Sequence, residues 1–174
     1  MKRIKQVNES KEMIYKALMD LLLEKNLEDI TMTEIAKKAQ VVRMTLYRHF
    51  KEKEDIILFG FDRNLSKVLD AMKKKENPTL MDLLVLRFKI LQESPYTNIL
   101  AKNHKLDKLF QTIGARNIHH FSDILPKVST PYENAFIAGG IDTLTKLWIE
   151  NGMKESYKDI ATEVLDIIYR LKVL

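Results

Sequence analysis

Apolar residues recur every three or four positions along most of the chain, which is the spacing of one face of an α-helix. The clearest stripe lies near the N-terminus and consists of Ile14, Ala17, Leu18, Leu21 and Leu22. This stripe predicts a first helix from about Glu9 to Lys25, with Asn8 as its N-cap and Asn26 as a left-handed C-cap. Because the spacing is not the period of two that strands show, the pattern predicts an all-α protein.

Two short helices joined by a tight turn follow the first helix. Thr31 and Glu34 have the spacing of a capping box, which predicts a second helix ending near Ala39. After Gln40–Val42, a third helix is expected from Arg43 to about His49. Helices this short need support from neighbours, and the residues available for packing are Ile35, Ala36, Ala39, Val41, Leu46 and Phe50. The segment has the shape of a helix-turn-helix.

The rest of the chain is divided into further helices by its prolines, glycines and capping residues. The predicted ranges are Lys53–Lys74, Thr79–Glu93, Tyr96–Asn103, Lys105–Leu125, Tyr132–Asn151 and Ser156–Lys172. Ser156 with Asp159 is a variant of the capping box. Together with the first three helices, these ranges predict about nine helices.

Composition and charge exclude several classes of protein. The chain has 174 residues, of which 45% are hydrophobic and 30% are charged, as is usual for a globular protein. It has no cysteine, which excludes a disulfide framework, a thiolate metal site and a cysteine nucleophile. Since there is neither a long apolar run nor a signal-peptide pattern, we expect a cytoplasmic protein without a membrane partner.

The net charge of +5 is placed unevenly. From Ile35 to Lys51 there is no acidic residue, whereas the basic residues of this stretch are Lys37, Lys38, Arg43, Arg48 and Lys51. Phosphate neutralisation supplies much of the affinity for DNA, so this placement on a helix-turn-helix favours double-stranded DNA as the partner. Arg43 and Arg48 are candidates for base contacts, because arginine forms bidentate hydrogen bonds with guanine, and Met44 could contact a thymine methyl. Lys2, Arg3 and Lys5 could form an arm on the adjacent groove.

The segment from Thr31 to Glu54 resembles the DNA-binding domain of TetR/AcrR-type transcriptional regulators. The similar pieces are Glu34–Ala36, Thr45–Phe50 and Lys53–Glu54, and with the first helix the resemblance covers roughly residues 8–58. It implies contacts with the DNA backbone from Thr45, Tyr47, His49 and Lys53, and Lys51 is added to this candidate set. It also implies a helix-turn-helix DNA-binding domain over residues 1–52 and a helical dimerisation and effector-binding domain over residues 53–174.

Four positions depart from the pattern of that family, and the last of them is Glu52, which stands where a serine-like cap is common. Gln40 stands where a glycine usually opens the turn, and Val42 stands where a serine or asparagine usually caps the recognition helix. Met44 replaces a small residue. A second resemblance lies in Tyr132–Ile141 and Lys146–Ser156, which are similar to the C-terminal domain of the TetR subgroup that includes regulators of dihydroxyacetone kinase operons.

A single short recognition helix contacts only a few base pairs, so specific binding favours a homodimer on a palindromic operator. The last two predicted helices have apolar stripes suited to a four-helix interface. The interface candidates are Ile137, Gly140, Ile141, Leu144, Trp148, Val164, Ile167 and Leu171. The alternative is that these helices bury their stripes within one subunit.

The middle of the chain is the candidate region for a small-molecule effector. The apolar and aromatic residues that could line its pocket are Phe59, Met72, Leu84, Phe88, Leu91, Phe110, Ile113 and Phe121. Plain core packing is the alternative for each of these residues, and it is the more common role of such side chains. His104, His119 and His120 do not have the spacing of a metal site, so neither a metal nor a cofactor is expected.

Four functions are compatible with these patterns. The first is a homodimeric repressor that a small molecule releases from its operator. The second is a DNA-binding regulator that answers to a protein partner, including an activator, and the third is a helical adaptor that has lost DNA binding through the changes at Gln40, Val42 and Met44. The fourth is an all-helical enzyme, which is disfavoured because no phosphate-binding loop and no catalytic triad or carboxylate pair stands out.

Overall fold

The computed structural model describes residues 2–101 and 130–171. Within these residues the chain forms eight α-helices, one short 3-10 helix and no strand, which confirms the all-α fold class. The α-helices are α1 Lys2–Leu22, α2 Met32–Lys38, α3 Arg43–His49, α4 Lys53–Lys73, α5 Leu80–Glu93, α6 Thr97–Ala101, α7 Pro131–Glu150 and α8 Tyr157–Arg170. The 3-10 helix is Leu27–Asp29. The predicted helix Lys105–Leu125 lies outside the described residues.

The chain divides into two compact units, residues 1–63 and residues 64–174. α4 therefore supplies its first eleven residues to unit 1 and the remainder to unit 2. The functional boundary expected at residue 52 concerns DNA binding and dimerisation, and it stays a prediction. None of the helices in the described ranges combines the length and the apolar character needed to cross a membrane.

Unit 1 is built around the predicted stripe of α1. All five residues of that stripe are buried, and so are Ile35, Ala36, Ala39, Leu46 and Phe50 of the helix-turn-helix, whereas Val41 is half-buried. Ile56 and Ile57 of α4 complete the core. At Gly60, a Cβ atom would lie 2.2 Å from the Tyr15 ring, so the packing of α1 against α4 requires glycine there.

The predictions for both ends of α1 were wrong. Its backbone is helical from Lys2, so residues 2–5 do not form an extended arm, and Asn8 lies inside the helix. No breaker interrupts the first eight residues, and the Ser10 hydroxyl donates a hydrogen bond to the Gln6 carbonyl 2.9 Å away, as in continuous helix. Asn26 is extended, with φ −71°, because it begins the 3-10 helix instead of ending α1 in a left-handed conformation.

Unit 2 has its own apolar core. Val68 and Met72 of α4 join residues of α5, α7 and α8, and the largest fully buried side chain is Phe88. The Phe88 and Trp148 rings meet edge to face, with centroids 5.2 Å apart. α7 is followed by Gly152 at φ +83°, whose N–H donates a hydrogen bond to the Ile149 carbonyl, as expected of a glycine after a helix. Ser156 caps α8 as predicted, accepting from the Asp159 N–H at 3.2 Å.

Candidate nucleic-acid interface

The third helix is the centre of the candidate interface. Leu46 is completely buried and fixes α3 to the core of unit 1, whereas four of its seven residues are exposed to solvent. The exposed residues are Arg43, Met44, Tyr47 and Arg48, and Thr45 and His49 are half-buried. Met44 is 81% exposed, which is unusual for a methionine. The helix therefore presents cationic, aromatic and apolar groups on one accessible side.

The turn before α3 has the geometry of a Schellman motif. The Gln40 N–H binds the Lys37 carbonyl at 3.1 Å, and the Val41 N–H binds the Ala36 carbonyl at 3.0 Å. This motif places Gln40 at φ +55°, in the left-handed region that glycine adopts most easily. That conformation explains why a glycine is usual at this position in the family that the segment resembles. This chain adopts the same backbone conformation with a glutamine.

The first residue of the interface helix lacks a side-chain cap. Val42 is extended, with φ −71° and ψ 144°, and occupies the N-cap position without a side-chain hydrogen bond. Its side chain is 70% exposed, so the valine is not used for packing. By contrast, α2 begins with a complete capping box: the Glu34 N–H donates to the Thr31 hydroxyl at 3.2 Å, and the Thr31 N–H donates to the Glu34 carboxylate at 2.8 Å. The predicted start of α2 is confirmed.

Two side chains on the exposed side of α3 lie together. The Arg43 guanidinium carbon is 5.9 Å from the centre of the Tyr47 ring, one helical turn further along. A cation–π contact at this distance restricts both side chains at modest energetic gain, about 0.5–1 kcal/mol at an exposed site. The pair thus holds one guanidinium and one phenol on the same side of the helix.

The end of α3 is held by an aromatic cluster. The rings of His49 and Phe50 are 6.3 Å apart, and Phe50 in turn meets Phe59 of α4 at 5.8 Å. Burial lowers the pKa of His49 below its ordinary 6.5, and the positive charges of Arg48 and Lys11 lower it further. Its Nε2 is buried and has no hydrogen-bond partner within the part of the chain that the structure describes. The neutral form of the His49 ring is therefore favoured.

The two lysines after α3 are placed differently. Lys51 is exposed, and its backbone N–H donates to the Asp55 carboxylate at 2.9 Å. Lys53 is half-buried, and its ammonium donates to the carbonyls of Leu27, Glu28 and Ile30. Of the two, only the Lys51 side chain is directed into solvent.

The lysines that flank this surface differ in whether an acidic residue pairs with them. Lys38 lies 3.8 Å from Glu24, and Lys25, three residues after α1, lies 2.6 Å from Glu34. Lys37 is exposed. Exposed ion pairs such as Lys38–Glu24 are weak, so they leave most of the positive field of the helix-turn-helix in place.

The candidate effector residues fall into three groups. Met72, Leu84 and Phe88 are buried in the core of unit 2, and Leu91 packs against it. Phe59 belongs to unit 1, where it contacts Tyr15 and Phe50. Phe110, Ile113 and Phe121 lie outside the described residues, as do His104, His119 and His120. No group of three metal-binding side chains occurs in the described ranges.

The candidate interface residues of α7 and α8 also separate. Ile137, Ile141, Trp148 and Val164 are at most 3% exposed and lie in the core of unit 2. Leu144 packs against the same core and Ile167 is half-buried, whereas Gly140 and Leu171 are exposed. Side chains that are already buried within the protomer have no surface left for a second subunit, so the stripe expected at the interface serves the protomer's own core.

A different side of α7 is exposed, and the sequence-based selection missed it. Its residues are Tyr132, Ala135, Phe136, Gly139, Gly140, Thr143 and Leu147. Tyr132 is 86% exposed and Phe136 is 61% exposed. A Cβ atom added at Gly139 or Gly140 would meet nothing within 4 Å in the described part of the chain. Tyr132, Phe136, Gly140, Thr143 and Leu147 recur at spacings of three and four, and this second stripe of uncharged residues was the available sequence signal.

The match with known families agrees with this geometry. Residues 14–58 match the family of bacterial regulatory proteins called tetR. An HTH-type transcriptional regulator of Staphylococcus aureus is 29% identical over 125 residues, which is 67% of either chain. The HTH-type regulator YxbF of Bacillus subtilis is 24% identical over 148 residues, and these cover 78% of this chain and 39% of YxbF.

Solved structures show the same fold. The dihydroxyacetone kinase operon activator DhaS superposes with a TM-score of 0.70 at 18% identity, covering 93% of this chain and 95% of DhaS. The regulator FadR of Bacillus subtilis, solved in complex with stearoyl-CoA, has a TM-score of 0.59 at 22% identity, covering 90% and 96% of the two chains. Residues 14–58 thus match the tetR family at the helix-turn-helix, and the chain shares the fold of DhaS and FadR.

Proposed function

We propose that this protein is a homodimeric repressor that binds a palindromic operator and is released from it by a small molecule. The DNA-binding part of this proposal rests on the burial pattern of α3. Buried Leu46 fixes the helix to the core, whereas Arg43, Met44 and Arg48 are exposed and can enter a groove of DNA. A helix-turn-helix places the N-terminal residues of its second helix against base edges.

The side chains of the interface divide by role. Arg43 and Arg48 are the proposed partners of guanine, and Met44 is the proposed contact of a thymine methyl. Thr45, Tyr47, His49 and Lys51 are proposed to meet the phosphate backbone. For His49 this contact requires the ring to move, because its Nε2 is buried in the free protein.

The exposed side of α7 supports the dimer. Glycine inside a helix costs about 1 kcal/mol relative to alanine, and α7 carries two adjacent glycines that no described packing contact explains. Close approach of a second helix would explain them, since glycine lets backbones meet. We therefore propose an interface on Tyr132, Phe136, Gly140 and Leu147, extended by Ile167 of α8 and by Leu171, which follows that helix.

The proposed effector is a small molecule with an apolar part, bound in unit 2. Two observations support this class: the interior of unit 2 is apolar around Phe88 and Trp148, and the related fold of FadR carries stearoyl-CoA. If the small molecule binds better to a dimer whose two helix-turn-helix domains do not match the operator, it lowers the affinity for the operator. Operator binding then lowers the affinity for the small molecule by the same factor. A thermal-shift screen with acyl compounds tests it: a hit must also weaken operator binding.

Selection of genomic fragments by the purified protein tests the operator-binding proposal. We expect palindromic sites, and we expect Arg48→Ala to reduce the preference for such a site over random DNA by about 5- to 150-fold for each half-site, which corresponds to 1–3 kcal/mol for each lost base contact. Lys154→Ala removes one exposed positive charge from unit 2 and is the control, with an unchanged preference. If the wild-type protein bound no duplex at 50 mM salt, the proposal would fail.

A further inference from the structure

The ammonium group of Lys53 is surrounded by backbone carbonyl oxygens. The Leu27 carbonyl is the nearest, the Ile30 carbonyl is 2.8 Å from Nζ, and the Glu28 carbonyl is 3.4 Å away. All three acceptors belong to the 3-10 helix and the residue that follows it. Lys53 is the first residue of α4, so a tertiary contact joins the beginning of α4 to this turn.

The number of donors matches the number of acceptors. A lysine ammonium has three N–H donors and no acceptor, and three carbonyls surround Nζ here. Two of these hydrogen bonds are short and the contact with Glu28 is long, so a phosphate oxygen would have to compete with carbonyls that already hold this group. The phosphate contact that the resemblance implies for Lys53 would therefore weaken contacts that already exist in the free protein.

The position of the contact along the chain indicates what it does. The three carbonyls lie just before α2, and Lys53 lies just after α3, so the hydrogen bonds join residues 23 to 26 positions apart across both ends of the helix-turn-helix. Leu27 and Ile30 are 5% and 1% exposed, which fixes the carbonyl-bearing segment to the core. Thr31, the N-cap of α2, follows Ile30 directly.

We propose that Lys53 is a positioning residue that closes the helix-turn-helix, and that Lys51 is the phosphate ligand of this corner. The inference rests on the proposed operator binding. The hydrogen bonds of Lys53 fix the start of α2 relative to the start of α4. Because α3 lies between these two points along the chain, they also restrict its position. The exposed Lys51 side chain, two residues earlier, is free to meet the backbone, and its main chain is held by Asp55.

Three variants separate the two roles: Lys53→Met, Lys53→Arg and the matched control Lys51→Met. Each is measured for Tm and for the slope of log K against log salt on a selected operator. A phosphate contact contributes about 0.9 to that slope, or about 1.8 for the two subunits. A positioning contact contributes to Tm instead, and loss of the ammonium group with its hydrogen bonds to these carbonyls should lower Tm by about 5 °C or more in a chain of this size.

We expect Lys53→Met to lower Tm by about 5 °C or more and to leave the salt slope unchanged. Lys53→Arg should lower Tm as well, because a planar guanidinium fork cannot direct its N–H groups at three converging carbonyls. Lys51→Met should keep the wild-type Tm and reduce the slope. Far-UV circular dichroism establishes that each variant is folded at the temperature of the binding assay.

The reverse pattern would overturn the inference: a reduced slope with wild-type Tm in Lys53→Met, restored by Lys53→Arg, identifies Lys53 as a phosphate ligand. A wild-type protein that binds no duplex would instead remove the proposed function. In that case the Tm comparison of Lys53→Met with Lys51→Met would still decide whether Lys53 holds the turn, since it does not depend on DNA.

Discussion

Gln40 adopts a backbone conformation that a residue with a Cβ atom disfavours. At φ +55° it completes the turn between α2 and α3, and its side chain is exposed, so nothing in the fold depends on that side chain. The left-handed conformation costs a residue with a side chain roughly 1–2 kcal/mol relative to glycine. We predict that Gln40→Gly raises the free energy of unfolding by about 1 kcal/mol, measured by urea denaturation.

The control for this substitution lies three residues earlier. Lys37 is exposed within α2, where glycine has no conformational advantage, so Lys37→Gly should lower the free energy of unfolding by about 1 kcal/mol. Opposite signs for the two glycine variants establish the conformational origin of the effect. Equal losses at both positions would contradict it. Met153, at φ +52°, offers no such test because its side chain is buried.

At the scale of elements, α2 depends on the ionised form of Glu34. Hydrogen bonds from Lys25 and from the Thr31 N–H and hydroxyl lower the pKa of Glu34 from 4.5 to about 2. A carboxyl whose pKa is lower in the folded protein stabilises the fold above its unfolded pKa, and this contribution is lost as the pH falls through the folded pKa. The stabilising effect is therefore complete above pH 4.5 and disappears towards pH 2.

Glu34→Gln tests this dependence, since glutamine has the shape of the protonated side chain. We predict that the variant has a lower Tm than the wild type at pH 7 and that the difference narrows between pH 4.5 and pH 2. Glu9→Gln, at an exposed position of α1, is the control for the loss of one carboxylate. A Tm difference that stays constant down to pH 2 would show that the carboxylate charge has no part in the cap.

Sequence reasoning located best those helices whose ends are determined by residues close to them in the sequence. α3 spans Arg43–His49 as predicted, and α2 starts at its capping box, because the necessary groups lie within four residues of each other. Asn8 misled the prediction for α1, since capping preference is weak against a continuous helical segment. The contacts of Lys53 could not be predicted either, because they join residues more than twenty positions apart.

α7 shows a second reason for failure. Its apolar residues lie on both sides of the helix, so periodicity alone does not distinguish the side that packs in the protomer from the exposed one. The structure makes that distinction: Ile141 and Trp148 are buried, whereas Phe136 and Leu147 are 61% and 51% exposed. Trp148→Asp, an obvious choice from sequence for producing monomers, would place a charge in the core of unit 2 and unfold it.

At the scale of the whole molecule, operator binding by two recognition helices requires the dimer, and Gly140 provides the sharpest test of where its interface lies. A larger residue at this position meets no atom within 4 Å in the described part of the protomer. Replacing a glycine inside a helix also improves helix propensity by up to about 1 kcal/mol. Gly140→Leu should therefore leave the protomer folded and at least as helical as the wild type.

In the proposed dimer the same leucine would separate two closely packed helices. We predict that Gly140→Leu shifts the protein from dimer to monomer in sedimentation velocity runs, and that operator affinity falls with it, because each monomer carries a single recognition helix. Lys154→Leu adds a leucine at an exposed position outside α7 and should remain dimeric. A Gly140→Leu protein that stayed fully dimeric at micromolar concentration would place the interface elsewhere, whereas a wild-type monomer that bound its operator tightly would remove the need for one.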